Sequence, residues 1–281
     1  MSAQQTVFSD AAVALPRGQL LSALLIIASF NGLAPRVISD VAVNGWYYSI
    51  VNTFDTSVIV WGGWAAACYL SIQQDDRRPT SRLDIIVCCI TFALVLVPFS
   101  TLSWFGLALL SAYVFCTSRK NSPQRRSAVI FFAICVPMLW GPMLFTFAAQ
   151  PLLRLDAFLV SSVLGTERIG NVVGAVDGIH RMQIWPPCSS FHNISQAGLA
   201  WIALSQTLGR SLSLRDAFWC ALAVALAAGV NLARLSLLGI FPEYFDTIHG
   251  PIGAQIAGGL TLLVITIVCM FGFRRELFAR T

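Results

Sequence analysis

The feature that most constrains this chain is a succession of apolar runs recurring from about residue 19 to residue 273. A helix needs about 20 such residues to cross the hydrocarbon of a bilayer. The runs read as spans near 19–35, 48–72, 83–100, 102–117, 127–149, 193–209, 216–240 and 253–273. Only 11% of the 281 residues are charged and 57% are hydrophobic, against roughly 25% charged in a soluble domain. A soluble globular enzyme is excluded on that ground. The expected fold is an all-α polytopic membrane protein of about eight transmembrane helices. It forms a single domain over 1–281, without an internal repeat at a fixed period.

Two places along the chain complicate the count. The third and fourth spans are separated only by Phe99-Ser100-Thr101 and so form a helical hairpin with a very short turn. Segment 151–165 opens on Pro151 and carries Arg154 and Asp156, which reads as an interfacial or re-entrant helix. A ninth full span is the alternative, and it would put basic loops outside.

Basic residues in short loops mark the cytoplasmic side. With the N-terminus inside, thirteen of the 18 Lys and Arg residues fall there: Arg17, then those within 77–82, 119–126, 210–215 and 274–280. Arg36, Arg154, Arg168 and Arg181 fall outside, and Arg234 lies within a span. Segments 1–18 and 274–281 are thus expected to be cytoplasmic tails. The run after Arg17 lacks a small-residue cleavage site, so it is expected to be an uncleaved first span.

The longest stretch outside the spans, 166–192, falls on the outer face. Gly170, Gly174 and Gly178 punctuate short runs there, which predicts a small β-hairpin before Pro186-Pro187 and Cys188. Seven of the eight cysteines sit in or at the ends of apolar spans and read as small hydrophobes. Cys188 alone stands in a polar loop, ahead of a helix expected near Asn193, whose N–H groups and positive dipole end favour a thiolate. The competing reading is an incidental surface cysteine.

Two further residues stand out. Arg234 lies in a long apolar run, where an arginine costs a few kcal/mol to insert. Counted from Asp216 it lies roughly 27 Å along the helix, near the outer edge of the hydrocarbon. Asn231, three residues earlier on the same helical face, is placed to hold its guanidinium. Snorkelling to the outer headgroups is the alternative. His249 sits among Gly250, Pro251 and Gly253 just before the last span, on that same side. His180 and His192 share the side, and sequence proximity does not decide whether His192 or His249 serves Cys188.

Three chain segments therefore deliver a Cys, an Arg and a His to one depth. A Cys beside a His gives an activated nucleophile, and an Arg stabilises the oxyanion of acyl transfer. One Cys with scattered histidines lacks the paired spacing of a zinc site. No phosphate-binding glycine loop and no basic nucleic-acid patch is seen. No cofactor, metal or nucleic-acid partner is expected.

Pro187-Cys188-Ser189-Ser190 after a glycine-spaced outer loop, Asn231-Leu232-Ala233-Arg234-Leu235 in a late span, and His249 with Gly253 ahead of the final span resemble the exosortase/archaeosortase family. Order and spacing agree over most of the chain; Ser190 stands where that family usually carries glycine. The resemblance implies a cysteine peptidase or transpeptidase of the prokaryotic inner membrane, with its active site on the outer, periplasmic side. Its substrates would be exported proteins bearing a C-terminal sorting signal, composed of a short PEP-CTERM-like motif, a transmembrane helix and a basic tail. It implies Cys188 as nucleophile, Arg234 as oxyanion partner and His249 as general base or acid, with Asn231, Ser189, His192 and Gly253 in support. The acyl acceptor, water or an amine on a lipid or glycan, stays open. The rival readings are a transporter using Arg234 to bind an anion and a membrane partner in exopolysaccharide assembly. A transporter predicts ionisable groups near mid-membrane on several spans, and Asp55 is the one exception to their placement at ends and loops.

Overall fold

The computed structural model describes residues 16–73, 76–210 and 213–278. Most of the tail expected at 1–18, and the end of that expected at 274–281, lie outside the described residues. In chain order the helices are α1 (Arg17–Val51), α2 (Val58–Ile72), α3 (Arg82–Leu96), α4 (Ser100–Thr117), α5 (Pro123–Cys135) and α6 (Gly141–Leu164). After a small sheet come α7 (Ser190–Thr207), α8 (Leu214–Ile240), the short α9 (Phe245–His249) and α10 (Pro251–Phe278). Five helical runs are long and apolar enough to cross a membrane: α1, α4, the continuous path Pro123–Leu164, α8 and α10. The chain is an all-α membrane protein carrying one small sheet.

Serine starts five of these ten helices. Ser57, Ser122 and Ser189 each accept a backbone N–H of the first turn of α2, α5 and α7. Ser81 and Ser213 form reciprocal capping boxes with Asp84 and Asp216 at α3 and α8. Such caps satisfy N–H groups that lipid cannot.

Several expected boundaries move. The first span was expected to stop at 35, but α1 carries Pro35 inside and runs on to Val51, bending at Gly45 (φ 76°). The span expected from 48 therefore starts only at Val58, after a tight turn at Thr53–Asp55. The polar residues Arg36, Asp40 and Asn44 interrupt the apolar run, but the hydrogen-bonded spiral continues past them. Likewise the expected break between 149 and 151 is absent. A π-helical turn at Val136–Trp140 joins α5 to α6, and α6 passes through Pro151 with only Ala148 out of helical geometry. The turn between α3 and α4 falls at Val97–Phe99, around Pro98, and not at Phe99–Thr101.

In place of a two-stranded hairpin, 168–183 folds as three short antiparallel strands, β1 (Arg168–Ile169), β2 (Val172–Gly174) and β3 (Arg181–Gln183), in the order β1-β2-β3. Gly170 (φ 64°) makes the first turn. The Asp177 carboxylate organises the second by accepting the Ile179 and His180 N–H groups, and the His180 ring beside it holds its carboxyl down to about 2. The buried face, Val173 and Ile184, packs with Leu153, Val160 and Leu235 of α6 and α8. Val176 N–H donates to Gly239 O at 2.9 Å, tying the sheet to the end of α8.

Two other cores complete the bundle. One joins α1 to α5 with α7, through residues such as Leu25, Leu107, Phe131 and Leu199. The other joins α7, α8 and α10, where Trp201 stacks on Phe273 at 4.3 Å between ring centroids. Gly272 makes that stack fit, since a Cβ there would lie 2.3 Å from the Trp201 ring.

The end of the bundle at which α1 begins is locked by a buried cation. Arg17 donates Nε to Asp84 Oδ1 at 2.8 Å, Nη1 to Asp76 Oδ2 at 2.8 Å and Nη2 to Thr117 Oγ1. Tyr113 and Ser81 complete the Asp84 carboxylate. Removing one partner of a buried pair leaves the other charge unanswered. Arg17→Ala is expected to cost about 3–5 kcal/mol, read as a lowered midpoint of thermal unfolding in detergent. A loss below ~1 kcal/mol would reduce the network to the standing of a surface ion pair.

Candidate active site

Cys188 closes a single 3-10 turn, Pro186–Cys188, whose two prolines fix the entry from β3, and Ser189 then caps α7. The helix begins at Ser190, three residues earlier than expected, so the thiol sits at its mouth. Cys188 is not a surface cysteine. It is 9% exposed and packs with Ile184, Leu153 and Leu238.

The turn is held by three side chains. Asn231 of α8, itself 4% exposed, donates Nδ2 to Cys188 O at 2.9 Å and to Ser190 Oγ at 3.1 Å. Asp156 of α6 accepts the Ser189 hydroxyl at 2.6 Å and the Ser190 N–H at 3.2 Å, both on Oδ2. Ser189 Oγ in turn accepts Phe191 N–H. The carbonyl of Cys188 and the two residues after it are thereby fixed to two different helices.

Opposite stands His249, whose Nε2 lies 3.3 Å from Cys188 Sγ. Its ring stacks flat on Phe245 one turn earlier, with 5.0 Å between ring centroids. Arg234 of α8 reaches the same short helix, donating Nε to Ile248 O at 3.3 Å and Nη2 to His249 O at 3.2 Å. It satisfies carbonyls at the C-terminal end of α9, where a cation also meets the negative end of the peptide dipoles. Gly253 permits the sharp turn into α10, because a Cβ there would lie 2.1 Å from Ile248 O.

The structure thus brings Cys188 and His249 into contact and sets Arg234 behind His249. Asn231, expected to steady the Arg234 guanidinium, instead binds the Cys188 turn. The reason is that a residue three positions away shares a helix face, but the side chain takes its partner from whatever packs against that face. His192 does not join Cys188; its Nε2 meets Gln196 Nε2 at 2.6 Å, and Gln196 Oε1 accepts the Ser57 hydroxyl. His180 is spent on Asp177 in the sheet. Asp156 was missed as a member of the site. Its signal was a carboxylate inside an apolar run, a placement that is costly without a use.

Beside the turn lies a cavity of about 500 Å³. Pro186, Pro187, Phe191 and His192 form one wall, and Arg36, Asp55 and Ser57 stand on another. Chemically, the arrangement offers a thiol with a base in hydrogen-bond reach, a guanidinium behind that base and a space alongside for a chain segment.

This geometry predicts that Cys188 is the thiol most sensitive to His249. His249→Ala is expected to slow alkylation of Cys188 at neutral pH by roughly ten-fold or more, followed by peptide-resolved mass spectrometry, with the other cysteines unchanged as internal references. Asp156→Ala is expected to destabilise the protein by about 1–3 kcal/mol through the donors it strands, with Asp156→Asn milder in the same thermal unfolding measurement.

No family model, curated protein or solved structure matches this chain.

Proposed function

We propose that the chain is a membrane-embedded cysteine peptidase or transpeptidase of the exosortase type, which cleaves C-terminal sorting signals from exported proteins. The observation that carries the reading is the 3.3 Å contact between Cys188 Sγ and His249 Nε2, made between residues 61 positions apart and from different helices. Eight crossings are inferred with it, the 15-residue α2 and α3 among them. The proposed placement is the inner membrane with Cys188 outside. The arginines at 77–78, 119 and 125–126 support that orientation, since they gather at the end of the bundle opposite the thiol.

In the proposed reaction His249 Nε2 takes the Cys188 proton as Sγ attacks a peptide carbonyl. Negative charge develops on the carbonyl oxygen, and Arg234 supplies the nearby positive charge; its Nη1 has no partner among the described residues. Collapse breaks the C–N bond, His249 returns the proton to the departing amine, and a thioester on Cys188 remains. An incoming water or amine, deprotonated by His249, then releases the acyl group. The cavity beside Pro186 and Pro187 is where the segment flanking the scissile bond would lie. Asp156 and Asn231 act through the turn as positioning residues.

The test is Cys188→Ala in the native host, with the C-termini of envelope and secreted proteins compared by mass spectrometry. A set of proteins keeping an apolar, basic-tailed C-terminus only in the mutant is the expected result. Unchanged C-termini in proteins that are expressed would overturn the nucleophile. Arg234→Lys keeps the charge but loses the two-carbonyl fork, and is expected to lower processing roughly 100-fold, as loss of an oxyanion donor does.

A further inference from the structure

The far end of the bundle holds a second built feature that the reaction above does not use. α2 begins beside Gln196 and ends at the loop leading to α3, which there meets the turn between α4 and α5. Between these segments lies a cavity of about 340 Å³ lined by Asp76, Arg77, Arg78, Arg119, Ser122 and Gln124.

Most of this lining is already committed. Both Asp76 oxygens accept from Arg78, at 2.8 and 2.7 Å, and Oδ2 also accepts from Arg17. Arg78 and Arg17 together hold the Asp76 carboxyl well below the usual carboxylate range. Gln124 is spent on Gly18 O and Ser118, and the Ser122 hydroxyl on Arg119 O and Arg125 N–H. The Arg77 and Arg119 side chains are exposed and have no hydrogen-bond or ion-pair partner among the described residues. The cavity therefore presents two uncommitted guanidiniums and, among the described residues, no carboxylate left to receive a cation.

That donor set suits an anion, and the planar N–H fork of a guanidinium matches phosphate oxygens. The depth points to a lipid as its source. The cavity sits where α2, α3, α4 and α5 all end, and Leu83, Ile86 and Ile90 lead away from it along one exposed face of α3. We infer that this cavity binds the phosphate of an anionic phospholipid, whose acyl chains lie along that face of α3. A zwitterionic headgroup fits less well, since its ammonium would meet no free carboxylate among the described residues. Basic pockets between helix ends on the cytoplasmic side are a recurrent site for acidic headgroups.

The test uses the full-length protein in detergent, titrated with phosphatidylglycerol or phosphatidylcholine and read by native mass spectrometry. The Arg77→Gln/Arg119→Gln variant is expected to bind phosphatidylglycerol roughly ten-fold or more weakly. Its phosphatidylcholine binding and thermal unfolding should match wild type, because both side chains are exposed and bond nothing among the described residues. Arg82→Gln/Lys120→Gln, nearby but outside the lining, is expected to leave binding unchanged. An equal loss in that control would make the effect diffuse surface charge and overturn the site. So would undiminished binding in the first variant. Displacement of the lipid by millimolar inorganic phosphate would assign the cavity to a free anion and overturn the lipid reading.

Discussion

Hydrocarbon cannot hydrogen-bond a peptide group, and the rest of this architecture follows from that single constraint. It forces the chain into helices and puts a serine cap or capping box at five of their starts. It also raises the stakes for each polar side chain carried into the packed interior. Arg17 and Asp84 answer one another, Asn231 finds a carbonyl and a hydroxyl, and Asp156 finds a hydroxyl and an N–H. An unpaired group in such surroundings costs about 1–3 kcal/mol or more, so each of these contacts fixes the relative position of two segments.

The polar contacts divide the molecule into two ends with different work. At one end, charge is neutralised in a network of arginines and aspartates around Arg17. At the other, the groups around Cys188 are arranged with few charges and many directed hydrogen bonds. Asp156 and Asn231 approach the same segment, Cys188–Ser190, from α6 and α8, and Arg234 approaches α9 from α8. The thiol and the imidazole are therefore set by the separation of helices and not by the flexibility of a loop. That is the kind of support a preorganised site requires.

The sequence made the site's principal members legible because they are conspicuous against an apolar background. Cys188 was the one cysteine outside the spans, Arg234 the one arginine inside a span, and His249 the histidine among glycines at a helix mouth. What sequence could not show was partnership. Asn231 was read along its own helix, whereas its amide points to another chain segment. His192, only four residues from Cys188, belongs to a different hydrogen-bonded chain through Gln196 to Ser57. Asp156 was read as a reason against a span when it accepts the Ser189 hydroxyl and the Ser190 N–H beside the thiol. Helix limits failed for a related reason: an apolar run and a hydrogen-bonded spiral need not end together, and α1 continues through Pro35 and Arg36 without ending.

The distance along the chain between Cys188 and His249 bears on how the protein is made. At roughly 5–20 residues per second, ribosomal synthesis needs about 3–12 s to add the 61 residues that separate them. During that interval Cys188 is already part of the chain and His249 is not, and α9 is held in place only once Arg234 of α8 lies alongside it. A chain stopped between residues 188 and 249 carries Cys188 without His249. Assembly of the pair thus waits on synthesis of the segment that carries His249.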